Sequence, residues 1–376
     1  MSSVAELFIG MLSGTSRDGA DAVLVRFENN TPKLLSSVCV SYPPALAEDL
    51  KHMIERRLRP ADAELQRLDR ELAEFFALVA WGLLDKSGVA ANEIVALGSH
   101  GQTVWHHPVF PNPETIQLGD PQRMADLLGI RTVGRFRQAD LAAGGQGAPL
   151  APLLHQALLT PERGIRAVLN IGGISNISLL HAHGSVTGHD TGPGNCLLDG
   201  WIRQHQGKDY DANGQWAAGG KVDRLLLDRL LDDPYFNRKP PKSTGVEHFN
   251  ADWLQKRLNA RKADYSTTHT SLRDVQATLS ELTAYTIADA VRFGGADQVL
   301  VCGGGAHNLD LLQRLRHLLP DKTVETTRKV GLDPDWVEGI LFAWLARERL
   351  AGRPQHTGPI TGADSAVLLG DIFEPA

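Results

Sequence analysis

Three polar glycine turns follow apolar runs in this chain. They are Gly14-Thr15-Ser16-Arg17-Asp18-Gly19, the Asn170–Asn176 segment with Gly172 and Gly173, and the Cys302–Asn308 segment with Gly303, Gly304 and Gly305. Glycine lets main-chain N–H groups come close to an anion, and Ser or Thr hydroxyls add donors, so such turns suit phosphate oxygens. A single turn of this kind is usually only a turn. Three of them, one heading each half and one near the end, favour a phosphate-handling chain. No GxxxxGK[ST] loop occurs, and counting from Gly303 the sixth residue is Asn308, so GxGxxG also fails. The P-loop and dinucleotide-oxidoreductase readings are therefore set aside.

Carboxylates stand beside these turns. Asp190 ends the strand-like segment from Val186 and precedes Gly192-Pro193-Gly194. A carboxylate at a strand end points to where α/β folds bind ligands, and it can serve as a general base. A helix cap or a turn-forming Asp is the competing reading. Glu338 falls in the first turn of the last long helix, where a negative charge is favourable in any case. Asp18 could hold Mg²⁺ through water, or it could bond its own backbone. Thr15, Ser16 and Arg17 would meet phosphate by backbone, hydroxyl and charge. His100, Gln102 and Thr103 form a polar cluster after a strand, which a hydrogen-bonded turn would also explain. His106 and His107 point apart on a strand and are poorly placed for zinc. His181 and His183 read as exposed turn residues, and Asn195 and Asp199 begin the helix after Asp190.

The elements that carry these residues alternate between strand and helix. Runs at 7–12 and 20–27 flank the first turn as a hairpin, with a third strand at 34–40. Leu65, Leu68, Leu72, Phe75, Val79 and Leu83 recur at helical spacing over 61–86. The pattern restarts after a Gly/Ala-rich stretch at 139–150, with strands at 167–171, 177–180 and 186–190. Helices are expected to about 206, over 271–293 and from Asp333-Pro334 onward, with a strand at 298–302. Prolines 234, 240 and 241 read as a surface excursion. The chain of 376 residues suits two lobes.

Balanced charge, 38 basic against 44 acidic residues, offers no track for a nucleic-acid backbone. No run of about 18 apolar residues suggests a membrane span, and the N-terminus does not read as a signal peptide. Three isolated cysteines fit a reducing compartment. A cytoplasmic protein is expected.

A longer set of strings resembles one family across nearly the whole chain. They are GMLSGTSRDGAD (10–21), GSHGQTVWH (98–106), AAGGQGAPLAP (142–152), VLNIGGISNIS (168–178), GHDTGPGNCLLDGW (188–201), PKSTG (241–245), DVQATLSELTA (274–284), VCGGGAHN (301–308) and the WVEG…FAWLA helix (336–346). Together they resemble the anhydro-N-acetylmuramic acid kinase family of the actin, Hsp70 and hexokinase superfamily. That resemblance implies a two-lobed α/β fold of the actin-like, ribonuclease H-like kind with a central cleft. The N-terminal lobe would take residues 1–138, with 334–376 packing back on it, and 139–333 would form the other lobe. It implies ATP and Mg²⁺, a homodimer, and a small-molecule sugar as substrate. In the implied reaction, water opens the 1,6-anhydro ring of N-acetylmuramic acid and O6 takes the γ-phosphate, feeding peptidoglycan recycling.

The resemblance places the catalytic base at Asp190 and turns Glu338 toward the sugar. ATP contacts would come from Gly14 to Gly19, Asp21, Gly172, Gly173, Gly303 to Gly305 and Asn308, with Mg²⁺ on Asp18 through water. Sugar contacts would come from His100, Gln102, Thr103, Arg137 and Asp140, Arg137 answering a carboxylate or phosphate. Two positions depart from the family: Arg17 replaces an aliphatic residue and Arg135 replaces an Asp. An ordinary amino-sugar kinase would keep the phosphate turns but use Asp190 on the acceptor hydroxyl. A nucleotide-switched binding protein would need a partner domain for which the chain has little room.

Overall fold

The computed structural model describes residues 6–14, 19–28, 30–56, 59, 61–240, 242–264 and 270–376. The chain divides into two compact units, Met1–Leu154 with Trp336–Ala376, and His155–Asp335.

The first unit opens with an antiparallel meander of β1 (Glu6–Leu12), β2 (Gly19–Glu28) and β3 (Thr31–Ser41). Helices α1 (Pro44–Glu55) and α2 (Asp62–Ser87) follow. Next come β4 (Ile94–Ser99), the hairpin β5 (Gln102–His107) and β6 (Glu114–Leu118), α3 (Pro121–Leu128), β7 (Thr132–Gly134), α4 (Phe136–Ala142) and α5 (Ala151–Leu159), the last crossing the unit boundary. β4 joins β1 in parallel and β7 joins β4 in parallel.

The second unit repeats the plan. β8 (Ile165–Ile171), β9 (Ile174–His181) and β10 (Val186–Pro193) form another antiparallel meander. The helices α6 (Cys196–Gln206), α7 (Gln215–Ala218), α8 (Arg224–Leu231), α9 (Ala251–Asp264) and α10 (Leu272–Phe293) lead to β11 (Gln298–Cys302), α11 (Leu309–Leu318) and β12 (Thr323–Thr326). β11 lies parallel to both β8 and β12. The chain then returns to the first unit through α12 (Val337–Leu350), α13 (Gly358–Thr361) and β13 (Asp371–Phe373), which closes the first sheet on β7.

Numbering strands within each sheet in chain order, both run third-second-first-fourth-fifth, β3-β2-β1-β4-β7 and β10-β9-β8-β11-β12, with β13 added beyond β7 in the first. This mixed α/β order is what the first strand of each half, buried on both faces, requires: Phe8, Ile9 and Met11, like Ala167, Val168 and Leu169, are at most 1% exposed.

Helix α2 presents Leu68, Leu72, Phe76, Val79 and Leu83 to one face of the first sheet. Its end is fixed by Gly88 at φ +68°, whose N–H reaches the carbonyls of Leu84 and Asp85. Helix α12 lies tightly on β1 and β4. A Cβ on Gly10 would stand 1.9 Å from the Gly339 oxygen, and one on Gly98 would stand 2.0 Å from the Phe342 oxygen. Only glycine lets a helix backbone approach a strand this closely. In the second unit α10 starts at Ser271, whose hydroxyl caps Asp274 N–H, and it runs almost wholly buried.

Three sequence expectations change. The junction expected before residue 139 falls after Leu154. Main-chain bonds from Gln146 to Thr361 and from Asp364 to Ala143 hold the Gly/Ala-rich stretch in the first unit. The last long helix begins at Val337 and not at Asp333-Pro334. The proline-marked excursion is not a surface loop throughout, because Tyr235 is 2% and Phe249 0% exposed in a core with α6, α8 and α9.

Candidate active site

In the second unit, the ends of β8 and β11 meet the turn that follows β10. Asn195 N–H donates to the Gly172 oxygen at 2.8 Å, and Gly194 and Cys196 N–H donate to the Gly173 oxygen at 2.9 and 3.1 Å. The Asn195 carboxamide donates to the Ile171 oxygen at 3.1 Å. Gly303 sits at φ +75°, and a Cβ there would lie 2.4 Å from Asn170 Oδ1. One on Gly194 would lie 2.3 Å from the Gly172 oxygen. Two of the three predicted glycine turns are thus knitted into one cluster at strand ends, and Asn195 joins it. Gly172 and Gly304 meet nothing nearer than 3.7 Å, so their bare faces stay open to a ligand. This cradle fits a phosphate-bearing cofactor approached by main chain, as ATP would be.

Asn308 has a different place. Its side chain accepts Leu311 N–H at 3.0 Å and caps α11, which fixes the glycine turn from behind.

Asp190 lies within β10, at the bulge where the register shifts between Asp190 and Gly192; the strand expected to end there runs on to Pro193. Its Oδ2 accepts Thr244 N–H at 2.9 Å, and its own N–H donates to the Lys242 oxygen at 3.1 Å. Burial pushes its carboxyl up to about 6, against the Thr244 hydrogen bond, with Glu247 adding a smaller upward push. That is a carboxylate ionised at neutral pH yet more basic than an ordinary Asp. His189 beside it is held neutral, at about 4, by burial and then by Lys242.

The first unit gathers a second polar cluster. Arg137 on α4 donates from Nε to His100 Nε2 at 2.9 Å. His100 Nδ1 faces the Gly101 oxygen at 2.9 Å, and its ring packs on Phe342 at 4.8 Å. Those two contacts assign the proton to Nδ1 in a neutral ring. Burial, then Arg137, lowers His100 to about 3. Burial lowers Arg137 to about 10, and Glu338 opposes this by attraction, so the exposed Glu338 in the first turn of α12 belongs to the same electrostatic group.

Other predicted sugar contacts serve the frame. Asp140 is 0% exposed, its oxygens taken by Gly147 N–H at 2.7 Å and the Thr361 hydroxyl at 2.9 Å. It fastens the 143–147 turn and is corrected from a sugar contact to a support. Gln102 is 3% exposed, with Oε1 at 2.6 Å from the Ser13 hydroxyl and Nε2 donating to the Thr103 oxygen. Thr103 Oγ1 accepts from Gln117 at 3.3 Å. Ser13, not singled out by its sequence, is also 2.7 Å from the Gly19 oxygen, so it ties the two ends of the first glycine turn. Gly14 and Gly19 flank that turn, while Thr15, Ser16, Arg17 and Asp18 lie outside the described residues. Asp21 is half-buried on β2 opposite Leu12 and Cys39. Arg135 is exposed at φ +58°, its guanidinium 5.1 Å from the Phe373 ring.

Sequence reasoning also missed Tyr235, whose hydroxyl donates to the main-chain carbonyl oxygen of Asp190 at 2.6 Å. Nothing in its local pattern marks it; only the PKSTG string nearby signalled this neighbourhood. Among the described residues no group of three or more His, Cys, Asp or Glu could hold a metal, and no helix is long and apolar enough to cross a membrane.

Two α/β units of one strand order, with glycine turns at their strand ends, define a chain of the actin-like ATPase class. The model of the family described as anhydro-N-acetylmuramic acid kinase matches residues 6–375. The anhydro-N-acetylmuramic acid kinase of Chromohalobacter salexigens is 46% identical, covering 98% of this chain and 99% of its own. That of Xanthomonas campestris pv. campestris is 46% identical over 98% and 97%. The chain belongs to this family. Among solved structures it is similar to the activator of the 2-hydroxyisocaproyl-CoA dehydratase from Clostridium difficile with bound ADPNP, at TM-score 0.48 and 12% identity, covering 92% and 96% of the two chains.

Proposed function

We propose that this protein is an ATP-dependent kinase that opens 1,6-anhydro-N-acetylmuramic acid with water and phosphorylates O6, giving N-acetylmuramic acid 6-phosphate and ADP for peptidoglycan recycling. The observation that carries the reading is Asp190: a carboxylate with a raised pKa, held by Thr244 N–H at the bulge in β10, in the unit with the glycine cradle. Asp190 takes a proton from water as its oxygen bonds to C1. The C1–O6 bond breaks, and O6 becomes the acceptor of the γ-phosphoryl group. General-base catalysis of this kind contributes about 10²- to 10⁴-fold.

The cradle of Gly172, Gly173 and Gly303 to Gly305 would hold ATP phosphates by main-chain N–H groups. Mg²⁺ is proposed on Asp18 through water. The Arg137–His100 pair, with Glu338 near Arg137, is a cation held in fixed orientation and suits the substrate's lactyl carboxylate. Because His100 is neutral and accepts from Arg137, the guanidinium keeps its remaining N–H groups for an anion. A homodimer in the cytoplasm remains part of this reading.

The test is ADP release with Mg-ATP and 1,6-anhydro-N-acetylmuramic acid, run beside N-acetylmuramic acid, N-acetylglucosamine and no sugar. Turnover with the anhydro sugar alone, reduced about 10²-fold or more by Asp190→Asn, is expected. Turnover with an open sugar would move the assignment to an ordinary amino-sugar kinase, and sugar-independent release would point to a nucleotide switch.

A further inference from the structure

The segment between α8 and α9 makes more contacts with Asp190 than a connecting loop needs. Three come from its main chain or from one side chain: Thr244 N–H to the carboxylate, the Lys242 oxygen from Asp190 N–H, and Tyr235 Oη to the main-chain carbonyl oxygen of Asp190. The last is the shortest of the three, at 2.6 Å. Burial and the nearby Asp190 push the Tyr235 phenol above its ordinary range, so it stays protonated and donates. Phe236 closes the same corner, since a Cβ on Gly192 would stand 2.8 Å from its ring.

Tyr235 is in turn clamped. Lys242 Nζ lies 4.8 Å over its ring, and Phe249 meets it edge-on at 5.7 Å. Beneath it Asp233, 3% exposed, is a four-way hub. Oδ1 accepts Tyr235 N–H at 2.9 Å; Oδ2 lies 2.8 Å from Trp253 Nε1, 2.7 Å from the Arg257 guanidinium and 3.2 Å from His248 Nε2. A buried charge with this many donors fixes a loop in one geometry, because each bond lost would leave a desolvated partner.

Resting on Asp190 as the base, we infer that Tyr235 is a positioning residue for the ring-opening step, and that the Asp233 hub holds it in place. The arrangement keeps the Asp190 carboxylate on Thr244 N–H and aimed outward from β10. Errors of about 1 Å at a reacting group cost about 10²-fold, which is the scale such a residue controls.

The experiment compares Tyr235→Phe with wild type and Asp190→Asn, using Mg-ATP and the anhydro sugar across pH 5 to 9. Phenylalanine keeps the ring in its clamp and removes only the hydroxyl. The expected result is a fall in kcat of about tenfold with KM for ATP unchanged. The acid limb of kcat/KM, set near 6 by Asp190, should also move upward by about half a unit as the carboxylate slips from Thr244. Glu247, which pushes the same carboxyl upward, is left intact. Asp233→Asn should reproduce the same signature more strongly if it folds; Tyr235→Phe decides if it does not. A Tyr235→Phe enzyme with wild-type kcat and an unmoved acid limb, or one that only melts earlier, overturns the inference while Asp190→Asn remains inactive. Full turnover by Asp190→Asn instead overturns the base assignment on which it rests.

Discussion

The two units share a strand order but settle their hairpin turns differently. In the first, the turn between β1 and β2 spans residues 13–18 and is tied by a side chain, Ser13, reaching the Gly19 oxygen. In the second, only Gly172 and Gly173 separate β8 from β9, and the turn is tied by main-chain bonds from Gly194 to Cys196. The sheets also differ in their cover. Glycines bring α12 into direct backbone contact with β1 and β4, whereas the second sheet packs α10 and α11 through ordinary side chains. The third strand of the second unit carries a perturbed carboxylate at its bulge, and that of the first ends at Ser41 before Tyr42. One scaffold therefore supports a sterically tight frame and an electrostatically loaded one.

The contrast can be broken by substitution. Gly98→Val should cost about 3 kcal/mol or more in urea unfolding, because its side chain would enter the α12 backbone. Gly82→Ala in α2, where a Cβ meets nothing within 4 Å, should be neutral or stabilising by about 0.5 kcal/mol. Equal unfolding midpoints for the two variants would remove the case for a tight frame.

Asp190 predicts a stability effect of opposite origin. Its folded carboxyl titrates near 6, above the unfolded value of about 4, so the folded state holds the proton longer. Stability is then lost as pH rises from about 4 to 6. Asp190→Asn should be more stable than wild type by about 2 kcal/mol at pH 7.5, and equal to it near pH 4. An unchanged difference across that range would show that Asp190 carries no such load.

His100 sharpens the comparison with the reverse sign. Its folded ring resists protonation, near 3, so the unfolded chain gains protons below about 6.5 and stability falls as pH falls. Relative to wild type, His100→Gln should therefore gain roughly 1.5 kcal/mol between pH 7 and pH 5, measured by urea unfolding. A flat difference would mean that the ring takes up a proton as readily in the fold as in the unfolded chain.

Much of this could be read from residue order alone. The periodicity of Leu65 to Leu83 places α2 within a residue of where it lies, and Ser271 marks the start of α10. The glycine turns at 172–173 and 303–305 were likewise visible as patterns, whereas the strand expected to stop at Asp190 runs on to Pro193 through a bulge that its polar residues did not announce. What stayed hidden depends on contacts distant in sequence. Asp140 reads as a polar site candidate until Gly147 and Thr361 are seen to occupy it. Gln102 reads the same way until Ser13 is found beside it. Tyr235 reads as an aromatic in a proline-rich excursion, and only the fold brings its hydroxyl to Asp190. Gly10 and Gly98 look like strand breakers and are contact points for a helix more than 200 residues away.

The return of the chain to its first unit also sets an order in time. The second unit is one continuous stretch, His155–Asp335, but the first cannot cover β1 and β4 until Val337–Leu350 has been made. At about 5–20 residues per second, the half that is synthesised first waits tens of seconds for its last helix. During that wait the nascent sheet has α2 on one face, while the face of β1 and β4 floored by Gly10 and Gly98 stays without its helix.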